Sequence, residues 1–187
     1  MKLILGSKSP RRQQLLREMG FSFEVRVKDT DESYPDHLQP AEIARYIAMQ
    51  KAQALQEELQ HDEILLTADT IVCVDTRILG KPRDENEARE MLQLLSGRKH
   101  LVMTGVSIAD RENITTEYCE TTVHVRALTT EEITAYIEKC QPFDKAGSYG
   151  IQEWFGAVAV EKIEGSYNNV VGLPTHLVYR LLKSAAF

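Results

Sequence analysis

The sequence predicts an α/β fold, because strand-like and helix-like patterns alternate along its 187 residues. The clearest strand runs from Ile64 to Val74, where apolar residues stand on both sides of Asp69 without strict alternation. Such a run is typical of a strand that is covered on both faces. The clearest helix follows Pro40, where apolar residues recur at helical spacing. We therefore expect one domain over residues 1–187 with a sizeable core.

The remaining elements follow from caps, turns and periodicity. Ser9 as N-cap and Pro10 at the first helical position start a helix after the first strand. Ser96-Gly97 ends another helix, and Thr129 with Glu132 forms a capping box. Strands are predicted at 2–6, 21–27, 64–74, 101–108, 114–125 and 157–163. Helices are predicted at 11–19, 40–59, 85–95, from 129 onward and at 174–182, with a tight loop at 144–152 and a turn at 164–169.

The composition indicates a soluble globular protein, with 43% hydrophobic and 27% charged residues. A net charge of -6 argues against broad binding to DNA or RNA, so we expect no nucleic-acid partner. The apolar runs are too short to span a bilayer, and the first residues contain no signal-peptide core. We therefore expect a cytoplasmic protein with no membrane partner. Three widely spaced cysteines predict neither a disulfide framework nor a zinc site.

Two arginines stand where a helix disfavours them. Arg11 and Arg12 fall in the first turn of the helix that Ser9 caps, where a positive charge opposes the helix dipole. An anion at this place would remove the conflict, and the backbone N–H groups after Gly6 would help to hold a phosphate. The alternative is that the arginine stems cover the core while the charged groups stay in water.

Asp69 is a carboxylate inside an apolar strand, and an unpaired buried charge costs several kcal/mol. It should therefore meet a cation, a ligand or water. Lys81 follows a predicted turn at residues 75–77, so a lysine and an aspartate would approach the same cleft from adjacent strands. The alternative is a plain salt bridge at the mouth of a hairpin.

Two further charged residues are candidates for the same site. Lys51 lies close to the apolar stripe of the helix at 40–59, which favours a lysine held against the protein over one that swings in water. The alternative is a lysine whose stem is buried and whose ammonium group reaches solvent. Glu32 belongs to an acidic loop that is either merely solvated or folds over a metal ion.

Common nucleotide and hydrolase fingerprints are missing. Gly80-Lys81 is followed by Pro82, and no Gly-x-Gly-x-x-Gly or Gly-x-Ser-x-Gly occurs. Six short motifs remain, and together they resemble the Maf family of nucleoside triphosphate pyrophosphatases. The motifs are Ser7-x-Ser9-Pro10-Arg11-Arg12, Ala68-Asp69-Thr70-x-Val72, Gly80-Lys81-Pro82-x-Asp84, Ser96-Gly97-x-x-His100-x-Val102-x-Thr104-Gly105, Asp144-Lys145-Ala146-Gly147-x-Tyr149-Gly150-Ile151-Gln152 and Gly165-Ser166-Tyr167-x-Asn169-Val170-Val171-Gly172-Leu173-Pro174.

The resemblance implies an α/β fold with a mixed, elongated sheet, flanking helices and two lobes around a deep cleft. It implies hydrolysis of a nucleoside triphosphate to the monophosphate and pyrophosphate with a divalent metal. The motifs that end in Gln152 and in Pro174 resemble the branch that acts on dTTP and UTP. The resemblance is also compatible with a homodimer.

The resemblance also assigns roles to individual residues. Asp69 would be the catalytic acid/base. A metal, Mg²⁺ or Mn²⁺, would suit this site, because a carboxylate about 4 Å from a phosphate charge is repelled by about 4 kcal/mol at an effective dielectric of 20. The predicted phosphate-binding residues are Ser7, Arg11, Arg12, Lys51 and Lys81. The predicted base-specificity residues are Arg12, Thr70 and Gln152, and the predicted metal ligands are Asp69 and Glu32.

Two other functions remain open at the level of sequence. One is a nucleotide-binding regulator linked to cell division that keeps the pocket without turnover. The other is a nucleic-acid-binding module, which the negative net charge disfavours.

Overall fold

The chain forms two compact units in a computed structural model that describes residues 1–185. The first unit comprises residues 1–70, 104–119 and 172–185, and the second comprises residues 71–103 and 120–171. Three long strands continue from one unit into the other, since their residue ranges cross these limits. No helix among residues 1–185 is long and apolar enough to cross a membrane.

Seven strands form a mixed sheet in the order β2-β1-β3-β5-β6-β7, with β4 paired to β3. Strand β1 is parallel to both β2 and β3, whereas the β3–β4 and β6–β7 pairs are antiparallel. This arrangement confirms the α/β fold predicted from the sequence. The strands are β1 (Lys2–Leu5), β2 (Phe23–Val25), β3 (Glu63–Val74), β4 (Arg77–Leu79), β5 (Lys99–Ala109), β6 (Ile114–Val125) and β7 (Val160–Glu164).

The helices begin at the caps that the sequence indicates. Ser9 accepts a hydrogen bond from the backbone of Arg12, and Thr129 and Glu132 form the predicted capping box. Gly97, with φ of 70°, follows the end of α3. The helices are α1 (Pro10–Glu18), α2 (Pro40–Gln56), α3 (Glu85–Leu95), α4 (Thr130–Cys140), α5 (Trp154–Val158), α6 (Tyr167–Val171) and α7 (Thr175–Ser184).

Two predictions for residues 154–171 are wrong. The strand predicted at 157–163 begins only at Val160, because residues 154–158 form helix α5. Gly156 lets this helix lie directly against the carbonyl oxygen of Ile151, where a Cβ atom would overlap that oxygen. The predicted turn at 164–169 overlaps helix α6, whose buried Asn169 donates to Val102 O and Thr121 Oγ1 at 3.0 and 2.9 Å.

Helix α2 packs tightly on the sheet of the first unit. A Cβ atom at Gly105 of β5 would overlap the backbone carbonyl of Ala44 in α2. On the same side of this unit, Ile4 of β1 and Leu65 of β3 form a buried apolar cluster with Leu55 of α2. The missing side chain at Gly105 therefore sets how closely α2 approaches β5.

We expect Gly105→Ala to lower the free energy of unfolding by about 1 to 3 kcal/mol, because the added methyl group must push the backbone of α2 away. Gly80→Ala is the matched control, since a Cβ atom at Gly80 meets nothing within 4 Å. Urea denaturation of both variants measures the difference. Equal stability of the two variants would mean that α2 can shift outward at no cost.

Candidate active site

Asp69 lies in β3 within the first unit and forms an ion pair with a lysine from helix α2. Lys51 Nζ is 2.7 Å from Asp69 Oδ1, and the two side chains are only 17% and 14% exposed. The sequence predicts that a carboxylate in this apolar strand needs a cation, a ligand or water. Lys51 is that cation for Asp69. Within the first unit, the cation that meets Asp69 therefore comes from α2.

Lys51 also contacts Glu32 from the acidic loop, with Nζ 2.8 Å from Oε1. One ammonium group thus holds two carboxylates that lie 37 positions apart in sequence. The alternative of a Lys51 whose ammonium group simply reaches solvent is wrong. The candidate metal ligands Asp69 and Glu32 are brought to one place, where Lys51 contacts both of them.

The Arg12 side chain is satisfied from within the first unit. Its Nε donates to Gly172 O at 2.9 Å, and Nη1 donates to Ala68 O at 2.8 Å and to Ser7 Oγ at 3.2 Å. Its Nη2 donates to Thr70 Oγ1 at 3.1 Å. Burial lowers the pKa of Arg12, and the negative charge of Asp69 opposes that change. The alternative of a solvated charged group is therefore wrong for Arg12.

These four bonds use most of the hydrogen-bonding capacity of Arg12, since a guanidinium group has five N–H donors. Two of the acceptors, Ala68 O and Thr70 Oγ1, belong to the residues on either side of Asp69. Arg12 thus fixes the strand at the catalytic candidate. The contacts predicted between Arg12 and a phosphate or a base stay predictions. One guanidinium N–H of Arg12 is left for them.

The hydroxyl groups near Arg12 are also engaged. Ser7 is buried, and its Oγ accepts from the backbone N–H of Ser9 at 3.3 Å as well as from Arg12. Thr70 Oγ1 lies 2.9 Å from Thr104 Oγ1 and 3.4 Å from Gly172 O. Ser7 and Thr70 therefore support the arginine in the structure, and their roles toward phosphate and base stay predictions. Arg11 is partly exposed in the same helical turn.

Lys81 and Gln152 lie in the second unit on two segments that contact each other. Lys81 follows β4 and is exposed. The backbone N–H of Gly147, in the loop that carries Gln152, donates to Gly80 O at 3.1 Å. Gly147 has φ of 71°, and a Cβ atom there would lie 3.1 Å from the Val72 side chain. The tight loop predicted at 144–152 thus lies directly against Gly80 and Val72.

The loop at 144–153 is anchored by a buried histidine. His100 Nε2 and the Tyr149 hydroxyl are 2.7 Å apart, and their rings meet edge to face. Burial lowers the pKa of His100 to about 4, so the imidazole is neutral at pH 7. His100 acts here as a support for Tyr149.

Gln152 is exposed at the edge of a cavity of about 560 Å³ within the second unit. Ile151, Ile163 and the half-exposed Tyr167 also line this cavity. Its volume falls in the range of small-molecule sites, and its lining combines apolar surface with an amide. Gln152 is therefore accessible to a ligand, as its predicted role requires.

Asp69 and Glu32 offer part of the oxygen donor set that a divalent metal needs. The described part of the chain holds no group of three His, Cys, Asp or Glu side chains arranged to bind a metal. Asp69 and Glu32 together supply two carboxylates, and Mg²⁺ is commonly held by one or two carboxylates plus substrate phosphates. These residues fit a metal that arrives with a polyphosphate, and they do not form a closed protein cage.

Comparison with known proteins identifies the family. The model of the family described as "Maf-like protein" matches residues 2–185. The chain belongs to the Maf-like protein family. A protein of Porphyromonas gingivalis named dTTP/UTP pyrophosphatase is 48% identical over 185 residues, covering 97% of this chain and 93% of its own. A Bacteroides fragilis protein of the same name is 48% identical over 183 residues, covering 97% and 95%.

A solved structure shares the fold of this Maf-like protein. The Ham1 protein of Staphylococcus aureus aligns with 99% of this chain and 100% of its own, at a TM-score of 0.53 and 11% sequence identity. At that identity the likeness concerns the fold alone. It supports the α/β assignment that the resemblance implied.

Sequence reasoning missed two partners of the site. Thr104 and Gly172 both stand within the recognised motifs, yet no role was predicted for either. Thr104 contacts the Thr70 hydroxyl, and Gly172 offers its carbonyl oxygen to Arg12. The sequence signal was the glycine itself, because the φ of 125° that the structure shows at Gly172 is one that glycine adopts most readily.

We expect Arg12→Ala to lower the free energy of unfolding by about 2 to 4 kcal/mol, because the carbonyl oxygens of Ala68 and Gly172 lose their donors. Arg11→Ala, one position earlier in the same turn, should cost less than about 1 kcal/mol. Urea denaturation monitored by circular dichroism compares them. An Arg12→Ala protein as stable as wild type would show that the arginine does not hold β3 in place.

Proposed function

We propose that this Maf-like protein hydrolyses dTTP and UTP to the nucleoside monophosphate and pyrophosphate. The observation that carries the proposal is the arrangement at Asp69, where Lys51 contacts Oδ1 and Arg12 bonds to both neighbouring residues. The names of the two bacterial relatives support the substrate class. In the cell, we propose a cytoplasmic role in removing excess or non-canonical pyrimidine nucleotides.

In the proposed reaction, a water oxygen bonds to the α-phosphorus and the bond from that phosphorus to the bridging oxygen breaks. Asp69 takes the proton that the water loses, and pyrophosphate leaves with the electron pair of the broken bond. Arg12 keeps the strand that carries Asp69 in one conformation, which limits the positions open to the carboxylate. Lys51 supplies a positive charge beside it.

A divalent metal fits this reaction as a partner of the substrate. Asp69 and Glu32 would hold it together with phosphate oxygens, and when bound it would neutralise charge on the triphosphate. Both carboxylates already share one cation, Lys51. An all-oxygen donor set favours Mg²⁺ or Mn²⁺ over softer metals.

Base recognition is proposed to rest on Gln152. Its amide can donate to O4 of uracil or thymine and accept from the N3 hydrogen. Because a half-turn of the amide presents the opposite order, Gln152 distinguishes uracil from cytosine only if a neighbour fixes the orientation of the amide. The anchored loop at 144–153 supports this role.

The direct test incubates the protein with UTP or dTTP and Mg²⁺ and measures released pyrophosphate. Stoichiometric pyrophosphate and monophosphate are expected. Release of inorganic phosphate with a nucleoside diphosphate would mean a different bond is cut. Binding of UTP without turnover would instead favour the nucleotide-binding regulator.

We expect Asp69→Asn to lower kcat/KM for UTP by about a hundredfold or more, because the amide cannot accept the proton from water. Asp75→Asn is the matched control, since Asp75 follows β3, is 85% exposed and adopts a positive φ that asparagine tolerates. Pyrophosphate release is measured for both after thermal unfolding confirms that they are folded. Near wild-type turnover by Asp69→Asn would rule out Asp69 as the base.

We expect Gln152→Ala to lower kcat/KM for UTP and dTTP and to reduce the preference for UTP over CTP by about fivefold, the effect of one lost hydrogen bond. Gln93→Ala, an exposed glutamine of α3, serves as control. Rates with UTP, dTTP, CTP and GTP are compared side by side. If the ratio of UTP to CTP does not change, Gln152 does not read the base.

A further inference from the structure

A carboxylate beside Gln152 forms the centre of a small network in the second unit. The Tyr136 hydroxyl donates to Glu153 Oε2 at 2.5 Å and accepts from the backbone N–H of Gly150 at 3.0 Å. Lys145 Nζ lies 3.0 Å from Glu153 Oε1 and 2.6 Å from Asp144 Oδ1. Glu153 thus joins helix α4 to the start and the end of the loop that presents Gln152.

The groups in this network have the protonation states that such contacts need. Burial raises the pKa of Tyr136, and its bond to Glu153 raises it further, so the phenol stays protonated and donates. Burial lowers the pKa of Lys145, but the hydrogen bonds to Asp144 and Glu153 outweigh burial and raise it. Lys145 is therefore a cation, and its side chain is only 11% exposed.

The backbone around Gln152 leaves little room for movement while this network is intact. The carboxyl carbon of Glu153 lies 2.6 Å from the position that a Cβ atom of Gly150 would take. The backbone N–H of Glu153 donates to Gly150 O at 3.2 Å. Gln152 therefore lies between two residues whose positions are fixed. Ile151 packs against Gly156, and Glu153 is held by the network.

We propose that Glu153 is a positioning residue for base recognition, which it achieves by fixing the backbone from which the Gln152 amide reaches the pyrimidine. The inference rests on the proposed function, since it assigns Glu153 a role only through Gln152. Glu153 itself faces Tyr136 and Lys145. It keeps the amide within reach of the base edge, and the paired contact that distinguishes uracil from cytosine needs this reach as well as a fixed orientation of the amide.

The test compares Glu153→Gln with Glu138→Gln, an exposed glutamate of α4 that does not line the cavity. The amide that Glu153→Gln introduces has one acceptor oxygen and no charge, so the ion pair with Lys145 is lost. We expect Glu153→Gln to reduce the UTP to CTP ratio of kcat/KM by about fivefold, the size of one lost hydrogen bond. Glu138→Gln should leave the ratio unchanged. Tyr136→Phe should act in the same direction as Glu153→Gln.

A double-mutant cycle distinguishes a positioning role of Glu153 from a merely structural one. In the Gln152→Ala background, Glu153→Gln should change the ratio no further, because there is no amide left to position. Partial unfolding would instead lower the rates for UTP and CTP in proportion. Amide hydrogen exchange over residues 144–153 should be faster in Glu153→Gln than in wild type or Glu138→Gln.

Each failure has its own signature. A wild-type protein that releases no pyrophosphate from UTP overturns the proposed function and this inference together. A wild-type protein that prefers UTP, combined with an unchanged ratio in Glu153→Gln and Tyr136→Phe, overturns only the role of Glu153. An equal effect of Glu153→Gln with and without Gln152 also overturns it.

Discussion

The first unit depends on a guanidinium group that folding takes out of water. Transfer of an unpaired charge into the protein costs several kcal/mol, so Arg12 requires acceptors from every side. The structure supplies them from three separate stretches of the chain, at Ser7, at residues 68–70 and at Gly172. The same bonds fix the strand around Asp69. The hydrogen bonds that Arg12 needs inside the protein thus also hold the backbone of the candidate site in place.

This requirement explains a feature that looked like evidence for a ligand. Cations in the first turn of a helix oppose its dipole, and a bound anion would resolve that conflict. For Arg12, carbonyl and hydroxyl oxygens of the protein do so instead. The protein's own oxygens thus compensate Arg12, and binding of a phosphate at this helix end stays a prediction. Charge patterns alone do not reveal whether the compensating oxygen belongs to the protein or to a substrate.

The parts of the fold that follow local rules were predicted well. Helix α3 has the predicted bounds, Glu85–Leu95, and strand β6 the predicted Ile114–Val125. The region 154–171 was predicted poorly, because helices α5 and α6 have only five residues each and depend on tertiary contacts. An apolar stretch of four residues fits a strand or a short helix equally well. In the structure, the missing side chain of Gly156 permits the close contact with Ile151 that accompanies the helix.

The sequence predicted which residues belong to the site better than it predicted which of them contact each other. Asp69 stood out because a carboxylate in an apolar strand needs a partner, and Lys51 because a lysine lay beside an apolar stripe. That they are partners of each other follows from the packing of α2 against the sheet, which the sequence does not state. Glu32 was predicted as a metal ligand, and the structure places it on the same lysine. The two carboxylates, Lys51 and Arg12 together carry no net charge, and a triphosphate adds several negative charges. Substrate binding therefore requires more positive charge than Lys51 and Arg12 provide, which is the physical reason to propose a divalent metal that enters with the nucleotide.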